Sequence, residues 1–321
     1  MFFLKSEGRA DSSFKTIEMY KMSQNKKLAA NDIAEKFTKD KVKLDAGHKA
    51  LLVIIKGAIK EAVSPYEPKG IKFIRDIVKE MGVSPRIDEI KTVLAPEVEG
   101  KAWDYDDPKI IPAMRYAKSD DDKAVILDLY NDKNQVVEIK AGSVQVLDSP
   151  PASNDNVFFT RPDYMKPMVT PILPDGDERV SLNMLRPFIN TDDRTFFILL
   201  GYITYVMSHP KSCGVPYPIL MIQGEKGSGK SFFCNNVIRN LVDPVSLDGL
   251  SMPRSVDNFT LQLNSMYLSV FDNLRKLTKD QSDLLCKGQL RLQQQQFPPN
   301  AHPVALQALW SGPKNQRRRL F

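Results

Sequence analysis

The chain has 321 residues, 42% of them hydrophobic and 26% charged, the balance of an ordinary soluble globular protein long enough for two domains. Its net charge of +6 says little about the folded body: Arg291, Lys314, Arg317, Arg318 and Arg319 stand in the acid-free stretch 288–321, and without those five the rest carries only +1, so overall basicity is no argument for a nucleic-acid-binding body. Three scattered cysteines, Cys213, Cys234 and Cys286, form no Cys-x-x-Cys and no cluster with His48, His209 or His302, which argues against a zinc centre or disulfide framework and for reduced thiols in a cytoplasmic protein.

Residues 1–26 are polar and without sustained period, so a frayed N-terminus is expected, and "MFFLKSEGRADSS" has too short an apolar run for a signal peptide. From Lys27 the residues Leu28, Ile33, Ala34, Phe37, Val42, Leu51, Leu52, Ile55 and Ala58 recur near helical spacing, broken around Gly47. "GIKFIRDIVKEMGVSPRIDEIKTVLAPEV" continues as short amphipathic helices punctuated by Gly82, Pro85 and Pro96. Residues 27–118 are therefore expected to be a mainly helical module. Within it, "AWDYDDP" (Ala102 to Pro108) reads as a solvated acidic turn with one aromatic tucked inward, ahead of a metal cluster or a stacking platform.

Across 119–160 the period changes to two. "AVILDLY", the turn "NDKN" and "QVVEIKAG" predict a β-hairpin, "SVQVLDS" follows, and "SPPASNDN" is a linker. From 161 to 287 a proline-rich extended region leads into "TDDRTFFILLGYITYVMSH", which begins with the cap-type residues Thr191 and Asp192 and runs apolar on all sides. Its apolar core falls short of the roughly 20 residues of a membrane span, so it reads as a buried helix, and no membrane association is expected.

"ILMIQGEKGSGKSFFCNNVIRNL" (Ile219 to Leu241) carries the chemistry. An apolar run suited to a buried strand precedes Gly224, Glu225, Lys226, Gly227, Ser228, Gly229, Lys230 and Ser231, the pattern of Gly, four residues, then Gly-Lys-Ser. Phe233, Val237 and Leu241 at i, i+4 and i+8 then predict a helix packed through that face. The glycines let successive backbone N–H groups point at phosphate oxygens, and the helix adds its positive end. Lys230 reaches the β- and γ-phosphates, and the Ser231 hydroxyl ligates Mg²⁺, so ATP and Mg²⁺ are the expected cofactors. The side chains of Lys226 and Arg239 read as surface residues with no role of their own.

A metal-anchoring carboxylate is then needed on a neighbouring strand. "SMYLSVFDN" (Ser265 to Asn273) supplies it: the run Tyr267, Leu268, Val270, Phe271 ends in Asp272, against the simpler reading of a strand closing in a turn-favouring Asp-Asn pair. The tail 288–321, with four consecutive glutamines and a terminal arginine run, fits neither period and reads as a disordered low-complexity tail, with an arginine-rich nucleic-acid contact as the alternative.

From about Pro162 to Lys287 the order "RPDYMKPM", "GYITYVM", "PYPILMIQGEKGSGKS", "LVDPV", "YLSVFDN" and "LTKDQSDLLCK" resembles the ATPase part of bacterial, phage and mobile-element replication proteins, the primase-associated, virus-type P-loop ATPases near the superfamily three helicases. The resemblance implies an α/β P-loop NTPase fold, an AAA+-like parallel sheet with flanking helices, preceded by the helical module and a short β-rich segment. It implies ATP on Gly224 to Ser231, Mg²⁺ held by Ser231 and Asp272, and a catalytic set of Lys230, Asp272 and Asn273. It also implies assembly into a homo-oligomeric ring acting on DNA, single-stranded by preference.

Two departures temper the motor. Asn273 stands where most ring-forming ATPases have a glutamate, and an amide orients water but takes no proton. After Lys287 the sensor strand, arginine finger and helical lid of the pattern do not follow, so the expectation is a truncated chain with a tail from a shifted frame. The readings carried forward are an ATPase or helicase-like replication component with an incomplete motor and, against it, a non-catalytic nucleotide-binding or regulatory module.

Overall fold

The computed structural model describes residues 30–105, 107–150, 155–172, 179–211, 218–247, 249–253, 255–272, 279, 282–283 and 305–309. The chain forms two compact units, Met1–Ile54 with Glu61–Ile111, and Ile55–Lys60 with Pro112–Phe321.

The first unit mixes strands and helices. Strands β1 (Val42–Leu44), β2 (Ala50–Lys56) and β3 (Ile59–Val63) form a sheet in that order, with Val42 opposite Leu52 and Leu44 opposite Ala50 in antiparallel register. Residues 42–63 were expected to be helical, and here that expectation is corrected. Their apolar spacing fits a helix, but the β-branched run Val53, Ile54, Ile55 favours extended backbone, and Gly57 at φ +54° with Ala58 makes the tight turn of a hairpin. Ala50, Leu52 and Ile54, two apart, all enter the same core.

Helix α1 (Pro68–Glu80) follows, with proline in its first turn and Gly70, Ile71, Ile74 and Val78 buried at three- and four-residue spacing. It stops at Met81, before Gly82 at φ +79°. A second helical run is α-helical over α2 (Ile87–Glu89), π-helical over Ile90–Leu94 and α-helical again over α3 (Ala95–Asp104). Phe37, Leu52, Ile74, Ile90 and Val98 are among the side chains that close this core.

The second unit is built on a four-stranded antiparallel sheet, β4 (Tyr116–Lys118), β5 (Ala124–Asp128), β6 (Val136–Lys140) and β7 (Ser143–Leu147), in chain order. Both of its faces are buried. Tyr116, Leu127 and Val137 enter one cluster, while Ala117, Ile126 and Val136 enter another with Ala58, Ile59, Ala113 and Phe159. Beyond helix α4 (Arg179–Leu185), the first cluster takes in helix α5 (Asp193–Ser208), capped by the Asp192 carboxylate accepting from the Thr195 N–H at 2.8 Å. Helix α5 is one-sided rather than apolar all round in its environment: Phe196, Leu199, Tyr202, Ile203 and Val206 are buried, yet Phe197 is 67% exposed. Among the described residues no helix is long and apolar enough to cross a membrane.

Among the described residues strand β8 (Ile219–Gln223) has one ladder partner, β9 (Ala305–Leu309), in parallel register with Ile219 opposite Ala305. The expected parallel-sheet P-loop NTPase fold is overturned at this point. The three- and four-stranded sheets are antiparallel, and among the described residues β8 and β9 make no more than a pair. The run 267–272, read from sequence as the second strand of a parallel sheet, makes a single bridge among the described residues, Phe271 to Leu250. The physical reason is that other groups claim its backbone: the Asp243 carboxylate accepts the Leu268 N–H at 3.2 Å, and Leu250 accepts the Asp272 N–H at 3.0 Å and donates to the Val270 carbonyl at 2.7 Å.

Candidate functional site

Strand β8 delivers the chain to a loop that is exposed from Gly224 to Gly227, with Ser228 buried beneath it. Gly227 and Gly229 lie at φ +82° and +83°, a region that L side chains enter at a cost of roughly 1–2 kcal/mol each. Nothing crowds either position, so backbone conformation alone demands glycine there. The Ser228 N–H donates to the Glu225 carbonyl at 3.2 Å and closes the turn. Lys230 folds back across the loop: its ammonium donates to the Glu225 carbonyl oxygen at 2.6 Å and to Ser228 Oγ at 3.2 Å.

A continuous helical run leaves the loop, as α6 (Lys230–Phe232), a π segment (Phe233–Ile238) and α7 (Arg239–Val242). The π segment resets the face. In a regular helix Phe233, Val237 and Leu241 would point inward, but the wider turn inserts one residue, and the buried set is Phe233, Ile238, Arg239 and Val242, with Leu241 39% exposed. Arg239, read from sequence as a surface residue, is 1% exposed. Its Nη1 donates to Leu247 O at 2.8 Å and Asn235 Oδ1 at 3.3 Å, and its Nη2 contacts Met266 Sδ at 3.2 Å.

Asp272 arrives from the far side. Its N–H donates to Leu250 O at 3.0 Å, and the Leu250 N–H donates to Val270 O at 2.7 Å, bracketing Phe271. Burial, then the charge of Asp272, pushes the Cys234 thiol up to about 11, with Lys230 opposing. Asp272 and Lys230 therefore both act on a side chain in the first turns of the loop's helix. Ser231, one turn before Cys234, is exposed, and its carbonyl accepts from Asn235 Nδ2 at 3.0 Å. Lys230 and Ser231 open the helix that carries Cys234 and Asn235, Asp272 lies across Gly249 from the Asn235 side chain, and Asn273 lies outside the described residues.

Behind this site is a buried polar scaffold that the sequence reading did not anticipate. Arg115, fully buried at φ +64°, donates through Nε to Asp243 Oδ1 at 3.1 Å and through Nη2 to the carbonyls of Lys166 and Pro244 at 3.0 Å each. Asp243 follows directly on the loop's helix, and its other oxygen holds Leu268 in the Asp272 segment. Burial brings Lys211 down to about 8 against the pull of Asp243, and its ammonium donates to Leu263 O at 2.6 Å and to Met266 O. No local pattern could flag Arg115 and Asp243, which sit far apart in the chain. Arg239 could have been found only by recognising the π turn.

No protein-family model and no curated protein matches this chain.

Chemically, a glycine-shaped loop with a cation folded across it can receive an anion. A hydroxyl and a carboxylate near one helix end are hard oxygen donors of the kind Mg²⁺ takes alongside phosphate oxygens. Among the described residues no three His, Cys, Asp or Glu side chains converge into a metal cage. Ser231 and Asp272 would offer two such donors, which leaves most of an octahedral shell to water and ligand oxygens.

Proposed function

We propose that the chain binds ATP with Mg²⁺ through Gly224–Ser231, with Ser231 and Asp272 on the metal side, and that it serves as an ATPase-type component of phage or mobile-element DNA replication in the cytoplasm. The observation that carries the nucleotide part is the Lys230 ammonium, drawn across a loop whose Gly227 and Gly229 hold left-handed backbone. A cation placed there serves the β- and γ-phosphates, with loop amides and the helix end adding to it. The replication part, with single-stranded DNA and a homo-oligomeric ring as partners, rests on the order of motifs from Pro162 to Lys287.

In this reading Lys230 neutralises charge on the phosphates, Asp272 and Ser231 orient the ion, and Asn273 positions water. The ion supplies Lewis-acid polarisation of the phosphoryl oxygens. A second reading, nucleotide binding without a motor, is favoured by the pairing of β8, among the described residues, with β9 alone.

The deciding experiment is Mg²⁺-ATP binding and single-stranded-DNA-stimulated hydrolysis by the full chain beside Lys230→Ala and Asp272→Ala. Each variant should lose on the order of 10- to 100-fold in affinity, as expected for a charged contact. Turnover lost in both variants supports the ATPase. Binding without turnover leaves the non-catalytic module, and undiminished binding in Lys230→Ala removes the site.

A further inference from the structure

Gly249 sits where the loop's helix, the segment after it and the Asp272 segment converge. Arg239 ties Leu247 across Asn235, and the Leu250 amide and carbonyl bracket Phe271. Between those two anchors, a Cβ at Gly249 would lie 3.0 Å from Asp272 Cβ, 3.6 Å from Asn235 Nδ2 and 3.8 Å from the Val270 carbonyl oxygen. Unlike Gly227 and Gly229, Gly249 has no left-handed backbone, so the constraint on it is space alone.

We infer that Gly249 is a positioning residue for Asp272: its missing side chain lets the carboxylate stand against the helix of the phosphate loop, on the side of Ser231 and Asn235. The inference rests on the nucleotide-binding reading for its functional consequence, though not for its geometry. The nearest neighbour of an added methyl is Asp272 Cβ, next to the backbone, which cannot swing aside as a flexible tip would. Asp272 N is bonded to Leu250 O and Leu250 N to Val270 O, so relief must come from moving Asp272 and Gly249 apart by a few tenths of an ångström against those bonds. Mg²⁺ demands near-ideal octahedral geometry at about 2.0–2.1 Å, so a displacement of that size weakens a metal-mediated contact while leaving a direct lysine-to-phosphate contact intact.

The test has two arms. In the first, ATP affinity is measured in Mg²⁺ and in EDTA for the full chain, Gly249→Ala, Asp272→Ala, the double variant, and Gly249→Ala with Asp272→Glu. Gly249→Ala should lose about five-fold or more of the Mg²⁺ enhancement and keep its EDTA affinity. The double variant should be no worse than Asp272→Ala, and the longer glutamate should recover part of the loss. Enhancement retained in Gly249→Ala overturns the inference and leaves the nucleotide site standing; no ATP binding by the parent chain overturns the nucleotide reading and this consequence with it.

The second arm needs no nucleotide. The urea midpoint is compared for Gly249→Ala in the parent chain and in Asp272→Gly, where the clashing Cβ is gone. A smaller loss in the Asp272→Gly background is expected, and equal losses overturn the steric relation itself.

Discussion

In the β4–β7 sheet the amides bond to the neighbouring strand and the side chains alternate between two apolar clusters. Around Gly224–Ser231 and Asp272, within the same unit, side chains join backbone bonds in holding the main chain: Asp243 on Leu268, Arg239 on Leu247, Lys211 on Leu263 and Met266, Tyr267 on Val206. The first arrangement depends on shape and volume, the second on buried polar geometry. Damage to the sheet should therefore appear as lost stability, whereas damage to the scaffold should also move the site.

Two buried ion pairs allow a direct contrast. Arg161 holds Asp128 of β5 through two bonds, at 2.7 and 2.6 Å, and Arg115 holds Asp243. Asp128→Ala and Asp243→Ala each strand a buried guanidinium, and each should cost about 3–5 kcal/mol in urea denaturation. Measured where both remain folded, only Asp243→Ala should lower Mg²⁺-ATP affinity; an equal drop in Asp128→Ala would erase the distinction between the regions. Ile126→Ala, which opens a cavity beneath β5, should cost about 2–4 kcal/mol and leave the affinity of the folded fraction unchanged. Gly229→Ala should reverse the pattern: about 1–2 kcal/mol of stability for φ +83°, and most of the ATP binding.

The gentlest probe is alkaline pH. Burial, with Asp243 adding and Arg239 opposing, pushes the Tyr164 hydroxyl up to about 12. Burial raises Tyr116 and Tyr202 as well. A folded value above the unfolded 10 means that stability is fully present below pH 10 and is lost as pH climbs toward 12. Lys211 has the opposite sign. Brought down from 10.5 to about 8, it is penalised when charged, so its contribution improves as pH rises from 8 toward 10.5. The urea midpoint should accordingly rise between pH 8 and 10 and fall above it. Lys211→Met should flatten the rise and Tyr164→Phe should soften the fall.

How much of this is legible in the sequence follows from how local each cause is. The alternation at Ala124–Asp128 and Val136–Lys140 marks strands because every second side chain enters a separate cluster. Asp192 announces the start of α5 because a cap needs only a carboxylate three residues before the amide that it receives. Residues 42–63 mislead because leucines and isoleucines at near-helical spacing also suit a hairpin, and only the β-branched run and Gly57 decide between them. The parallel sheet is misread for a different reason: "YLSVFD" has the composition of a strand, but its extended partner is decided by Asp243 and Leu250, which composition does not show. The loop glycines are legible through their spacing; Gly249 is not, because its constraint comes from Asp272 across space.

The π turn at Phe233–Ile238 has an evolutionary reading. In an unbroken α-helix one additional residue would rotate everything beyond it by about 100°, the angular step of the helix, and the wider π turn absorbs that residue, so the side chains past it keep the facing of a helix one residue shorter. Its first turn carries Lys230 toward the loop, and its last turns Arg239 into the interior. A lineage that deleted one residue within 233–238 and closed the turn to a regular α-helix would therefore keep the buried anchor as well as the glycine pattern, whereas one that kept the length and lost the π turn would bring Ile238 to the place of Arg239. Sequences sharing "GEKGSGKS" with a helix one residue shorter can therefore share this interior, and the match between helix length and π turn, more than the loop motif, marks which chains are built this way.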